Sequence, residues 1–257
     1  MSFLQSIITT FSMYSRLPTP RIDWKPENLR YSLSFFPLVG VVIGLLLFGW
    51  LWLGNLLGFG EILFSAGLTL IPIAVTGGLH LDGYCDTMDA LSSNGTLEEK
   101  RRIMKDPHTG AFAIISLSGW FLACFALCTA IPRDPRWIIL LGLIQVIGRA
   151  LSGLLGIRGK ASKKDGLLNT FTGAAQKDLS SGILCGWLIL SLGGMALIDP
   201  FAALISGVLT AFWGWRVYAM AKKEFGGMSG DIAGFTVETT SLILLAGVVL
   251  LSFMEGL

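Results

Sequence analysis

Residues 35–57 read FFPLVGVVIGLLLFGWLWLGNLL, a run without a single charged side chain. About 20 consecutive apolar residues are enough for a helix to cross the hydrocarbon core of a bilayer. Similar runs recur along all 257 residues, at 61–77, 110–131, 137–157, 181–198, 201–221 and 235–254. The composition agrees: 53% of residues are apolar and only 14% charged, with a mean hydropathy of +0.69. A soluble domain carries about 25% charged residues. The chain therefore reads as all-α, a polytopic membrane bundle of about seven transmembrane helices. A net charge of +2 is too small to point to nucleic acid.

The start of the chain, MSFLQSIITTFSMYS, is not a span. Phe3, Leu4, Ile7, Ile8, Phe11 and Tyr14 share one helical face, with Gln5, Ser6, Thr9, Thr10 and Ser12 largely elsewhere. That pattern predicts an amphipathic helix lying in the membrane interface, stopped near Pro18 and Pro20. A core-packed helix is the plainer alternative. These fifteen residues carry no basic n-region and no small-residue cleavage site, so no secretory signal peptide is expected. The organisation expected is one membrane-embedded domain over 1–257, with an interfacial helix at 1–17 and the bundle at 35–254. Asn55 to Glu61 reads as a tight hairpin. Gly40 with Gly44, and Gly54 with Gly58, have the spacing that allows close helix approach.

Orientation follows from the basic residues in each connection. The N-terminal segment holds four, the first hairpin none, the 77–109 loop four, the 132–136 turn two, and the 158–180 loop five. The turn at Asp199 has none, and Arg216, Lys222 and Lys223 precede the last span. Alternate connections are basic, which places the N-terminus in the cytoplasm and the C-terminus outside. The 132–136 turn fits this alternation least well. The 77–109, 158–180 and 222–234 loops then share the cytoplasmic side.

Those loops hold the unusual polar residues. Residues 79–90, LHLDGYCDTMDA, set Asp82, Asp86 and Asp89 at i, i+4 and i+7, on one face of a helix. Three uncompensated carboxylates at that spacing repel, so a cation or water is expected among them. Oxygen ligands suit a hard cation, and Mg²⁺ takes one or two carboxylates together with substrate phosphates. Gly83 beside Asp82 is poor helix design unless something is bound there, and the plainer reading is a solvated acidic face. Gly77 and Gly78 are expected to break or kink the end of the second span.

Lys105 to Gly110, KDPHTG, ties a turn before a span and presents Lys105, Asp106 and His108 at a helix entrance, where a phosphate is favourable. N-capping by Asp106 or Thr109 explains the same residues without a ligand. The preceding Glu98, Glu99, Lys100, Arg101 and Arg102 read as a solvated, structural face. Arg149 lies inside the fourth apolar run, where it needs a carboxylate, a phosphate or water, or snorkels to the interface. Arg158, Lys160, Lys163 and Lys164 follow, suited to anionic lipid or to a polyphosphate. Near the far end, Gly226, Gly227, Gly230 and Gly234 surround Asp231, with Glu238 two turns further on; this second acidic pair fits a metal or phosphate site. Four cysteines show neither disulfide nor zinc spacing, and the two histidines are isolated, so no metal site built on histidine is expected.

GGLHLDGYCDTMDAL, RRIMKDPHTGAF and GGMSGDIAGFTVE closely resemble the three signature regions of the cobalamin synthase (adenosylcobinamide-GDP ribazoletransferase) family. YSRLPTP and FFPLVGVVIG resemble its opening motifs, and the resemblance runs from about residue 10 to 245. One departure is Phe235, where the family often has Ala. The resemblance implies an Mg²⁺-dependent enzyme in the inner (cytoplasmic) membrane, its site facing the cytoplasm. There a hydroxyl of α-ribazole, or of its 5′-phosphate, attacks the phosphorus attached to cobinamide and GMP leaves. It implies Asp82, Asp86 and Asp89 as metal ligands. Asp82, Asp231 and Glu238 are implied as catalytic acids, with Asp231 or Glu238 adding ligands or accepting the hydroxyl proton. His80, Lys105, Asp106, His108, Arg149 and Lys160 are implied as substrate contacts. The lipid bilayer is the other partner, and a homo-oligomer stays open.

Two rivals predict different patterns. A CDP-alcohol phosphotransferase sets spaced Asp residues around divalent metal, but Asp86 and Asp89 are three apart rather than four. A cation transporter predicts acidic residues spread through the membrane depth and repeated halves, whereas here the acids cluster on one side.

Overall fold

The computed structural model describes residues 2–21, 25–162 and 167–255, and among them it is helical throughout, with one isolated parallel bridge between Ala161 and Met228. After α1 (Ser2–Tyr14), a short α2 (Pro26–Leu29) and a 3-10 turn at Ser32–Phe35 lead into α3 (Pro37–Leu57). Then come α4 (Glu61–Thr76), α5 (Leu79–Ser92), α6 (Leu97–Ile103), α7 (Ala111–Thr129) and α8 (Pro135–Arg158). The chain closes with α9 (Leu167–Ala174), α10 (Lys177–Ile198), α11 (Pro200–Phe225) and α12 (Gly230–Glu255). Among the described residues six helices are long and apolar enough to cross a membrane, and the bent pair α4–α5 makes seven if it is taken as one span.

The bend is 93° and has a local cause. Gly77 and Gly78 both adopt left-handed backbone, at φ 65° and 78°, which ends α4 and turns the chain into α5. A side chain at either position would strain that conformation. The glycine pair thus acts as the sequence suggests.

Helix α8 is the axis of the bundle: 72% of its apolar window is buried inside the protein, against 17% for α7 and 22% for α10. The polar residues of α8 therefore point into protein rather than lipid. It packs most intimately on α3, where Gly40 lies against the backbone of Gln145 and Gly44 against Gly142. The Gly40–Gly44 pair is a close-approach surface. Gly58, by contrast, is a left-handed helix cap at φ 66° facing open space.

Helix α1 is amphipathic, but its polar face is the buried one. Ser6, Thr9 and Thr10 are buried, and the Thr10 hydroxyl donates to the Ser32 carbonyl at 2.7 Å. Phe3 and Leu4 lie exposed, as do Leu45, Trp52, Ile62, Ile115, Leu122 and Leu197 elsewhere. In water such a surface would be unstable; beside hydrocarbon it is the expected one, because lipid tails are as apolar as leucine.

The connections sort to two ends. At one end Arg133 donates to the Phe59 carbonyl, and Arg136 pairs with Asp199 and with Glu255 at the end of α12. That end gathers the first hairpin, the 130–134 turn and Asp199. The two arginines of the 132–136 turn are thus occupied by local partners. The acidic and glycine-rich motifs lie at the other end, which is the grouping that the alternation of basic connections requires.

Candidate functional site

The site is built where α5 crosses the start of α12. A methyl group on Gly83 would lie 2.8 Å from both the Cα and the carbonyl oxygen of Asp231, and one on Gly234 would lie 2.8 Å from the His80 carbonyl oxygen. The two glycines let the backbones touch, so Asp82 and Asp231 are brought to one cavity. Gly83 therefore has a packing reason that its sequence position does not reveal. Phe235 fills the same crossing by stacking on Tyr84, with ring centroids 5.8 Å apart.

Asp82 is exposed and lines two adjoining spaces. One is the cavity shared with Asp231 and His80; the other is a wider cleft shared with Asp86, Arg16 and Thr109. Asp86 is half-buried, and the charges acting on it come from Asp231, Asp82 and Asp89. Four carboxylates thus share one electrostatic neighbourhood. Among the described residues no three or more His, Cys, Asp or Glu side chains are arranged to hold a metal ion by themselves. The donor type still fits a hard cation that takes part of its shell from phosphate and water. Asp82, Asp86 and Asp231 would be its oxygen donors.

Asp89 has a different task. Its two carboxylate oxygens accept the backbone N–H groups of Gly110 and Ala113, at 2.7 and 3.1 Å, and so cap the start of α7. A side chain on Gly110 would collide with that carboxylate. Asp106 and Thr109 do not supply this cap. Asp106 instead accepts the N–H of its neighbour His108 at 3.0 Å and the ring Nδ1 at 2.8 Å, and the backbone bond holds its carboxyl below the ordinary range. Lys105, Asp106 and His108 are all exposed, and of their turn Thr109 lines the cleft.

Glu238 and Arg149 lie elsewhere. Glu238 lines a separate internal space with Thr69, Cys124 and Gln145, on neither cavity that Asp82 touches. Arg149 is fully buried in α8, donates to the carbonyl and side chain of Gln145, and has Glu238 and His80 as electrostatic neighbours. It neither snorkels nor reaches the acidic cleft. Lys160 projects outward, while its carbonyl accepts the Met228 N–H at 2.7 Å and so ties the loop after α8 to the glycine-rich turn before α12. Gly227, at φ 150°, lies against that carbonyl. Arg158 pairs with Asp178 and Ser181; Lys163 and Lys164 lie outside the described residues. Lys100 is buried and bonded to Glu224 at 2.6 Å, and Arg101 donates to the Phe225 carbonyl. That segment is structural, as its charge pattern suggests, but Lys100 is not solvated.

Arg16 was not distinguishable by sequence reasoning. It follows the interfacial helix, its N–H bonds to the Val75 carbonyl at 2.7 Å, and its side chain lies across Gly77 at the wall of the acidic cleft. Its position just before Pro18, inside YSRLPTP, was the one available signal.

Six or seven apolar crossings among the described residues, and an acidic cleft at one end built from both halves of the chain, define a polytopic membrane protein. The chain belongs to the cobalamin-5-phosphate synthase family, whose model it matches over residues 6–249. It is 41% identical to the adenosylcobinamide-GDP ribazoletransferase of Lachnoclostridium phytofermentans, over 91% of this chain and 89% of that one. It is 31% identical to a relative of the same name from Clostridium botulinum, over 94% and 96%, and 34% identical to one from Synechococcus, over 90% of each. No solved structure matches.

Proposed function

We propose that the chain joins adenosylcobinamide-GDP to α-ribazole, or to its 5′-phosphate, releasing GMP in the assembly of the cobalamin nucleotide loop. The observation that carries the reading is the meeting of Asp82, Asp86 and Asp231 around two adjoining spaces that share Asp82, in a chain of this family. The acceptor hydroxyl oxygen attacks the phosphorus attached to cobinamide. The bond from that phosphorus to the bridging oxygen breaks, and GMP departs with the electron pair. Asp231, which lines the cavity with Asp82, would accept the hydroxyl proton, whereas Glu238 lines a separate space. In-line transfer of this kind rests on positioning and on offsetting phosphoryl charge.

Asp82 and Asp86 would hold Mg²⁺, with Asp231 as a further oxygen donor. When bound, the ion neutralises charge on the pyrophosphate. Arg16 lines the cleft as a cation for the phosphates, and Lys105, four residues before Thr109, would be a second. The site faces the cytoplasm of an inner-membrane protein, on the basic-residue pattern of the connections.

The test is GMP release from adenosylcobinamide-GDP by detergent-purified protein supplied with α-ribazole and Mg²⁺. Asp82→Ala is expected to lower turnover by at least about a hundredfold with membrane insertion intact. Near-normal turnover in that variant would overturn the site.

A further inference from the structure

His80 is 4% exposed, and neither of its ring nitrogens has a hydrogen-bond partner. A neutral imidazole has one nitrogen that donates and one that accepts, whichever tautomer it adopts. Leaving both unmade costs free energy, so this residue calls for an explanation. It borders a mainly apolar cavity of about 140 Å³, which Tyr14, Phe36 and Ser152 also line and which includes Asp82 and Asp231. The Phe36 ring lies 5.4 Å from the imidazole, centre to centre, and the Tyr14 ring 6.5 Å away, inclined at only 21°. Aromatic walls and one polar ring suit a flat heteroaromatic guest.

We propose that this cavity receives the base of the acceptor nucleoside, a benzimidazole, with its unsubstituted ring nitrogen hydrogen-bonded to His80. The assignment rests on reading the chain as a ribazole transferase. With the base against Tyr14 and Phe36, the attached sugar extends toward Asp82 and Asp231, where its hydroxyl meets the phosphorus. The chemistry separates this guest from the other rings in the reaction. Guanine presents several donors and acceptors around its edge, more than His80 and Ser152 can pair once Asp82 and Asp231 are given to the reacting groups. A corrin is too large for the cavity. A benzimidazole nucleoside has one ring nitrogen to satisfy, and His80 is one buried ring with an N–H to give. The side chain nearest in kind, Trp120, also has an unpartnered ring N–H but faces a different space, beside Glu238.

The full-length protein in detergent tests this without the donor substrate. Calorimetric titration with α-ribazole is expected to show binding at least about tenfold tighter than titration with the indole riboside, which has the same shape but lacks the nitrogen, since one such bond is worth about 1.4 kcal/mol. His80→Phe removes that discrimination and raises the acceptor KM while leaving the donor KM unchanged; His80→Gln, which still donates, restores part of it. Guanosine does not displace α-ribazole. Equal binding of the two ribosides by the unmodified protein, an unchanged acceptor KM in a folded His80→Phe, or displacement by guanosine would overturn the assignment. The riboside comparison needs no variant, so a misfolded His80→Phe leaves the proposal exposed to refutation. Failure of the transferase reading is distinct: it appears as no GMP release from adenosylcobinamide-GDP by the unmodified protein with any acceptor.

Discussion

Gly83 lies against the backbone of Asp231, so close that a single added carbon would fall 2.8 Å from its Cα. This contact joins residues from opposite ends of the chain and sets the distance between the two acidic helices. Gly83→Ala is expected to push α5 from α12, at a cost of about 1–3 kcal/mol in stability from overpacking. Turnover should fall far more, by about a hundredfold, because a shift of roughly 1 Å in reacting groups has that effect. Gly119→Ala is the control, since Gly119 faces open space. Detergent-stability and GMP-release measurements on both variants decide it; normal turnover in Gly83→Ala would show that the crossing does not position the acids.

Asp89 separates a structural role from a metal role. Both of its oxygens are engaged by the backbone of α7. Asp89→Ala should therefore lower stability by about 1–2 kcal/mol, seen as an earlier unfolding midpoint, while Asp89→Asn keeps an acceptor and loses less. The Mg²⁺ concentration for half-maximal turnover should stay near its original value in Asp89→Asn. A large rise in that requirement, with unfolding unchanged, would make Asp89 a ligand.

Metal removal tests the remaining acids. Chelation by EDTA is expected to abolish GMP release, and added Mg²⁺ to restore it. In Asp86→Asn the restored curve should shift to higher Mg²⁺, by about tenfold if one charged ligand is lost. Full activity in EDTA would remove the cation from the site.

The spans were legible because an uncharged apolar run states its own environment, and the left-handed pair Gly77–Gly78 was legible because two glycines at a span end have few other uses. That Asp82, Asp86 and Asp231 lie near one another at one end of the bundle was legible for a related reason: acids are costly beside lipid. What stayed hidden depends on contacts between distant segments. Gly83 looked like a helix defect until α12 was placed against it. Asp89 shares a helical face with Asp82, yet the start of α7 claims it. Glu238 follows Asp231 by two turns, and those turns carry it along α12 into a separate internal space. Helix α1 was read correctly as amphipathic, but only the assembled bundle shows Ser6, Thr9 and Thr10 turned inward.

Orientation is the remaining consequence of the two-ended arrangement. The 132–136 turn is basic where the alternation calls for a neutral connection, and on charge alone it argues for the opposite side. Its arginines are bound: Arg136 reaches Asp199, whose side chain is 3% exposed, together with Glu255, and Arg133 lies over the Phe64 ring, 4.4 Å from its centre. Acids at the same end do little to offset basic residues in this rule, but two arginines here stand against four, four and five in the connections of the other end, so the expected orientation is unchanged. In a cysteine-free background a membrane-impermeant maleimide applied to intact cells should label Pro132→Cys and spare Asn94→Cys, both exposed positions at opposite ends. A reporter fused after Leu257 should read as extracytoplasmic. Arg136→Ala should leave this labelling pattern in place while lowering stability by about 1–3 kcal/mol, because Asp199 loses its charged partner. Labelling of Asn94→Cys from outside, with Pro132→Cys protected, would reverse the orientation and put the acidic cleft on the far side of the membrane from its proposed substrates.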